Sequence, residues 1–169
     1  MAKYAEQTKV PVESSKAEIE RILSRYGASK FMQGWDSDKA VIVFVCRNLA
    51  IRMELPLPEL KDFRWTEARR VQRSDGAMEQ ARNQELRRRW RALALTIKAK
   101  LEAVESGIST FEREFLPYVV VPGGGTIGDW LLPKLADIAS GNEPLMLPPA
   151  REPEADLKLI EGHIEEKAG

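Results

Sequence analysis

The apolar residues Leu86, Trp90, Leu93, Ile97, Leu101 and Val104 step along the chain by four, three, four, four and three, the spacing of one helical face. That stripe predicts a long helix from about Met78 to Gly107, where glycine supplies a left-handed stop. A helix with a single apolar face needs a second layer to bury it. The upstream sequence provides one. Ala28 to Trp35 leads into the turn residues Asp36-Ser37-Asp38, and Ala40-Val41-Ile42-Val43-Phe44-Val45-Cys46 follows, rich in β-branched side chains. This pattern predicts a hairpin whose second strand is central, because it is apolar on both faces. After Arg47-Asn48, the residues Leu49, Ile51, Met53 and Leu55 alternate with Ala50, Arg52 and Glu54 as a third strand with one wet face, ending at Pro56-Leu57-Pro58.

A shorter helix precedes the strands. Ser15-Lys16-Ala17-Glu18 fits a capping box, and Ile19, Ile22, Leu23 and Tyr26 share one face before Gly27. Beyond the long helix, Ser109-Thr110-Phe111-Glu112 offers another capping box for a short helix that Pro117 breaks. Tyr118 to Val121 reads as an extended segment, and Pro122-Gly123-Gly124-Gly125 forces a turn. Thr126-Ile127-Gly128-Asp129 then caps a helix expected to bring Trp130, Leu131, Leu132 and Leu135 into the core. The expected fold is therefore α+β: a three-stranded antiparallel sheet in α-β-β-β-α order, packed on a long helix, with further short helices and an acidic C-terminal tail. The expected divisions are a flexible lead-in at 1–13, the α+β domain at 14–140, a Pro-rich linker at 141–154 and a short helical tail at 155–169.

Composition narrows the function classes. The chain has 169 residues, 43% of them hydrophobic, which suits one core with appendages. Its longest apolar run is strand-sized, so no membrane span is expected. The first residues lack an apolar leader, and a cytoplasmic setting is the expectation. With one cysteine, Cys46, and one histidine, His163, neither a multi-cysteine metal site nor a histidine-based triad can be assembled within one chain. Asp36 and Asp38 read as turn residues rather than metal ligands, and Cys46 as a buried, inert thiol. Gly123, Gly125 and Gly128 match a G-x-G-x-x-G spacing, but Pro122 and the missing second βαβ unit leave a turn and helix cap as their explanation. No enzyme, metal or cofactor is expected.

The net charge of zero conceals a gradient. Residues 61–100 hold 12 basic and 5 acidic groups, while residues 101–169 hold 5 and 13. Arg82, Arg87, Arg88, Arg89 and Arg91 surround Trp90, with Arg69, Arg70 and Arg73 upstream. Guanidinium groups match phosphate oxygens bidentately, which points to nucleic acid or a nucleoprotein as partner. The same arginines can instead form a solvated face paired with Glu79, Glu85 or the acidic C-terminal region. In a protein-binding reading they meet an acidic protein surface, and Trp65 or Trp130 supplies an apolar hot spot. The tail stripe Leu157, Ile160 and Ile164 can dock on its own domain, join a second subunit in a homodimer, or bind a partner.

Two resemblances accompany these patterns. The order helix, three strands, helix resembles the double-stranded RNA-binding domain in outline over about Ser15 to Ser106; the long connection after the third strand and the length of the last helix depart from it. Arg25-Tyr26-Gly27-Ala28, Glu54-Leu55-Pro56-Leu57-Pro58, the block Arg88 to Val104, and Gly125-Thr126-Ile127-Gly128-Asp129-Trp130-Leu131 resemble a small protein type encoded by bacteriophages and mobile elements. That likeness covers about residues 15–136 and implies a viral or prophage setting, with no activity attached to it.

Overall fold

The computed structural model describes residues 8–66 and 71–141. Helix α1 spans Val12–Arg25, strands β1, β2 and β3 span Lys30–Trp35, Lys39–Cys46 and Leu49–Pro56, and α2 spans Asp75–Glu105. Two short helices, α3 at Phe111–Phe115 and α4 at Ile127–Ala139, follow. The strands form one antiparallel sheet in the order β1-β2-β3. The expected α+β architecture is what the chain adopts.

Strand β2 is central, as its two apolar faces require. Ala40, Ile42, Phe44 and Cys46 are buried on one face, and Val41, Val43 and Val45 are half-buried on the other. The buried set is continued by Ile51 and Met53 of β3, and is covered by Ile19 and Leu23 of α1 and by Trp90, Leu93, Ala94, Ile97 and Leu101 of α2. Phe111 and Phe115 of α3 close the end of this layer. Phe115 stacks on Phe111 with ring centres 4.7 Å apart and meets Phe44 edge-on at 5.8 Å. Cys46 is buried and its Sγ lies 3.7 Å from the Tyr26 carbonyl; burial pushes its thiol pKa up.

Arg47 and Asn48 join β2 to β3 with φ of 49° and 63°, the left-handed pair a two-residue hairpin requires. The Arg47 guanidinium lies 5.7 Å from the centre of the Phe111 ring. The far edge of β3 is covered: after a 3-10 turn at Leu116–Tyr118, Val119 bridges Ile51 and the Val120 N–H donates to the Ala50 carbonyl at 2.8 Å. The extended segment expected at Tyr118 to Val121 is thus reduced to two isolated bridges, Val119 to Ile51 and Val120 to Thr126.

Local expectations are corrected at four places. Helix α1 begins three residues before Ser15, with Pro11 at its N-cap. Ser15 lies one turn before Ile19 and two before Leu23 on the buried stripe, so its hydroxyl faces the core and cannot cap. Helix α2 starts at Asp75 behind Ser74, and the predicted start at Met78 falls one turn inside it. In α3 the cap is Thr110, whose Oγ1 accepts from the Arg113 N–H at 3.3 Å; Ser109 instead bonds the Glu114 side chain.

The fourth correction is the largest. The apolar side chains expected in the core are exposed instead: Trp130 is 61%, Leu132 62% and Leu135 43% exposed. The described residues fall into two compact units, the first ending at Leu131 and the second beginning at Leu132. Residues 1–7, Arg69, Arg70, the expected linker beyond Gly141 and the tail with Leu157, Ile160, His163 and Ile164 lie outside the described residues.

Candidate functional site

The described arginines of the basic stretch are drawn into the fold. Glu85, one turn before Arg88 and Arg89, receives both: Arg88 Nε donates to Oε2 at 2.6 Å and Arg89 Nε to Oε1 at 2.8 Å. These hydrogen bonds, Arg88's foremost, hold the Glu85 carboxyl down at about 2 against the opposing effect of burial. Arg89 also donates to the Pro56 carbonyl at 2.6 Å, and Arg82 Nε to the Pro58 carbonyl at 3.0 Å. Arg91 pairs with Glu18 of α1. Arg73, upstream of α2, donates to the carbonyls of Phe63 and Trp65 at 3.0 and 2.6 Å.

These contacts latch α2 to α1, to the end of β3 and to the connection between β3 and α2. The side chains of Arg88, Arg89 and Arg91 are only 23%, 31% and 24% exposed. The Arg87 Nε is buried without a hydrogen-bond partner among the described residues. Trp90 is buried in the core, so it is not a stacking platform beside the arginines. The Pro-Leu-Pro run ends the ladder and leaves the carbonyls of Pro56 and Pro58 as acceptors for these donors.

A second group of residues meets at the start of α4. Gly123, Gly124 and Gly125 run with φ of 96°, 92° and 80°, a sequence of left-handed residues that only glycine adopts at low cost. They turn the chain back so that Val121 N–H donates to the Gly125 carbonyl at 3.2 Å. The expected capping box then forms: Thr126 N–H donates to Asp129 Oδ2 at 2.8 Å and Asp129 N–H to Thr126 Oγ1 at 3.2 Å. The bond from the Thr126 N–H, chiefly, keeps the Asp129 carboxyl below its ordinary range, with Arg52 and Lys39 adding attraction from the sheet. A concavity of about 540 Å³ opens here, lined by Val121, Pro122, Thr126, Ile127, Asp129 and Trp130. The glycine spacing therefore serves a turn and a helix cap.

Elsewhere, Lys16 lies 4.9 Å from the Trp90 ring centre and 5.6 Å from that of Trp35, beside a notch of about 220 Å³. Trp65 is 55% exposed and bridges Gln72. Asp36 accepts from the Ser37 N–H at 2.6 Å, in keeping with a turn. Among the described residues no group of three or more His, Cys, Asp or Glu could hold a metal ion, and no helix is long and apolar enough to cross a membrane. Comparison with protein-family models, curated proteins and solved structures finds no match for this chain.

Proposed function

We propose that this chain is a non-catalytic protein-binding module that takes an apolar side chain of its partner into the concavity beside Trp130. The observation that carries the reading is the indole of Trp130, 61% exposed at the rim of an apolar hollow whose one carboxylate among the described residues, Asp129, is engaged in its own helix cap. Large aromatic side chains beside a preformed apolar pocket are the usual anchors of protein interfaces. The left-handed glycines and the capping box hold the hollow open before any partner arrives, which lowers the ordering cost of binding. The arginines at the start of α2 support this reading by being engaged elsewhere: a phosphate would compete with Glu85, Glu18 and two carbonyls for them. In the phage or mobile-element setting that the sequence resembles, such a module acts on a protein of the host.

A displayed random-peptide selection against the purified chain, run beside anisotropy titrations with single- and double-stranded DNA and RNA, tests the proposal. Enriched peptides sharing an apolar anchor residue, with binding lost in Trp130→Ala and kept in the Arg87→Ala/Arg88→Ala/Arg89→Ala variant, are the expected result. Salt-sensitive nucleic-acid binding lost in the triple arginine variant, with no Trp130-dependent peptide, overturns it and favours the arginine-rich helix as a phosphate surface.

A further inference from the structure

The two edges of the sheet are treated differently. The β3 edge is covered by Val119 and Val120, whereas β1 pairs only with β2 and no described residue pairs with its other side. Open edges are ordinarily blunted by proline, a bulge, an inward charge or a covering segment. Over its register from Lys30↔Val45 to Trp35↔Ala40, strand β1 has no proline, no bulge and no covering segment among the described residues, and its one charge, Lys30, stands at its first position. It instead displays Met32, 64% exposed, and Trp35, 76% exposed.

We infer that β1 is a homodimer interface, in which β1 of a second copy adds antiparallel about a two-fold axis through Gln33 and the two sheets become one. The hydrogen-bonding parity favours this register. The Asp36 N–H donates to the Lys39 carbonyl, and by antiparallel alternation the groups of Gly34 and Met32 turn toward β2 while those of Phe31, Gln33 and Trp35 turn toward the open edge. Centring the pair on Gln33 sets Gln33 opposite Gln33 and Phe31 opposite Trp35, so the outward-facing residues of each copy are those that exchange bonds.

The side chains are self-complementary in the same register. Lys30 of each copy falls opposite Asp36 of the other, and Met32 lies over Gly34, which has no side chain to obstruct it. Phe31 and Trp35 form an aromatic cross-strand pair at each end. An isologous contact needs this kind of patch, in which residue i meets j and j meets i. A foreign strand would have to reproduce both ends of the pattern; a second copy does so by symmetry.

Sedimentation equilibrium on the full chain over a wide concentration range tests the inference. The expected result is a mass rising from 19.1 kDa toward twice that value. Gln33→Pro, which removes an outward donor without touching the bonds to β2, is expected to weaken the dimer at least about tenfold while circular dichroism stays unchanged. Lys30→Glu weakens it about fivefold, and Lys30→Glu/Asp36→Lys restores it to within about threefold. The charge pair decides the question should the proline variant fail to fold. Trp130→Ala leaves the dimer intact, so this surface and the proposed partner site fail independently. A chain that stays at the monomer mass throughout, or a dimer indifferent to Lys30→Glu and to its compensating change, overturns the inference.

Discussion

Gly128 rests against the backbone of Pro117 so closely that a Cβ added to it would stand 2.7 Å from the Pro117 carbonyl oxygen. The first turn of α4 is seated by this contact as much as by its capping box. Gly128→Ala therefore has to push the helix start away, and is expected to destabilise the fold by about 1 to 3 kcal/mol. Since Trp130 leaves the same turn, the variant is also expected to weaken peptide binding at the concavity. Urea unfolding and the peptide titration read the two effects.

Ser15 is fully buried and its hydroxyl finds no hydrogen-bond partner among the described residues. An unsatisfied buried hydroxyl is costly, and alanine is the better helix former. Ser15→Ala is expected to stabilise the protein by about 1 kcal/mol, read as a higher urea midpoint with an unchanged slope. A lower midpoint would mean that the hydroxyl is satisfied.

Acid should loosen the arginine latch. The Glu85 carboxyl is lowered from 4.5 to about 2 in the folded chain, foremost by the hydrogen bond from Arg88. A depressed carboxyl contributes stability that is complete above its unfolded value and lost as pH falls from about 4.5 toward about 2. With solvent screening the loss is expected to be about 1 to 2 kcal/mol. Comparing urea midpoints at neutral pH and at about pH 3 in the native chain and in Glu85→Gln checks this, the variant being the flatter of the two.

Alkali acts at the other end of α2. The Tyr26 hydroxyl donates to Glu105 Oε2 at 2.7 Å, and that bond chiefly pushes the phenol from 10.0 up to about 12. A raised phenol contributes stability that is whole below its unfolded value and disappears as pH rises through the folded one. Titrating tyrosinate absorbance should show a late phase near the upper value, and Glu105→Gln should bring that phase to lower pH.

What was legible in the sequence was what depends on spacing. The stripe from Leu86 to Val104, the alternation of β3 and the turns at Asp36 and Arg47 each state their local structure, and the α+β arrangement follows from their order. What was not legible depends on which surfaces are already taken. Trp130, Leu132 and Leu135 have the apolar character of a core helix, yet all three are exposed, and apolar character alone does not state burial. Ser15 carries capping chemistry but stands in register with Ile19 and Leu23, and burial of that stripe prevailed. The pairing of Glu85 with Arg88 and Arg89 is written in helical spacing, whereas the carbonyls of Pro56 and Pro58 become partners for Arg89 and Arg82 only once the chain has folded back.

Helix α2 is 31 residues long, or about 46 Å at the helical rise, and along its course it touches α1, the 3-10 turn at Leu60–Phe63, β3 and α3. No part of that layer can come away from the sheet without disturbing it. The amide hydrogens from Trp90 to Leu101 should accordingly exchange with solvent only through complete unfolding, and exchange rates at the two ends of this stretch should answer identically to denaturant. Unfolding of this layer is then expected to be a single all-or-none event, because the one rod is shared by every element packed on it.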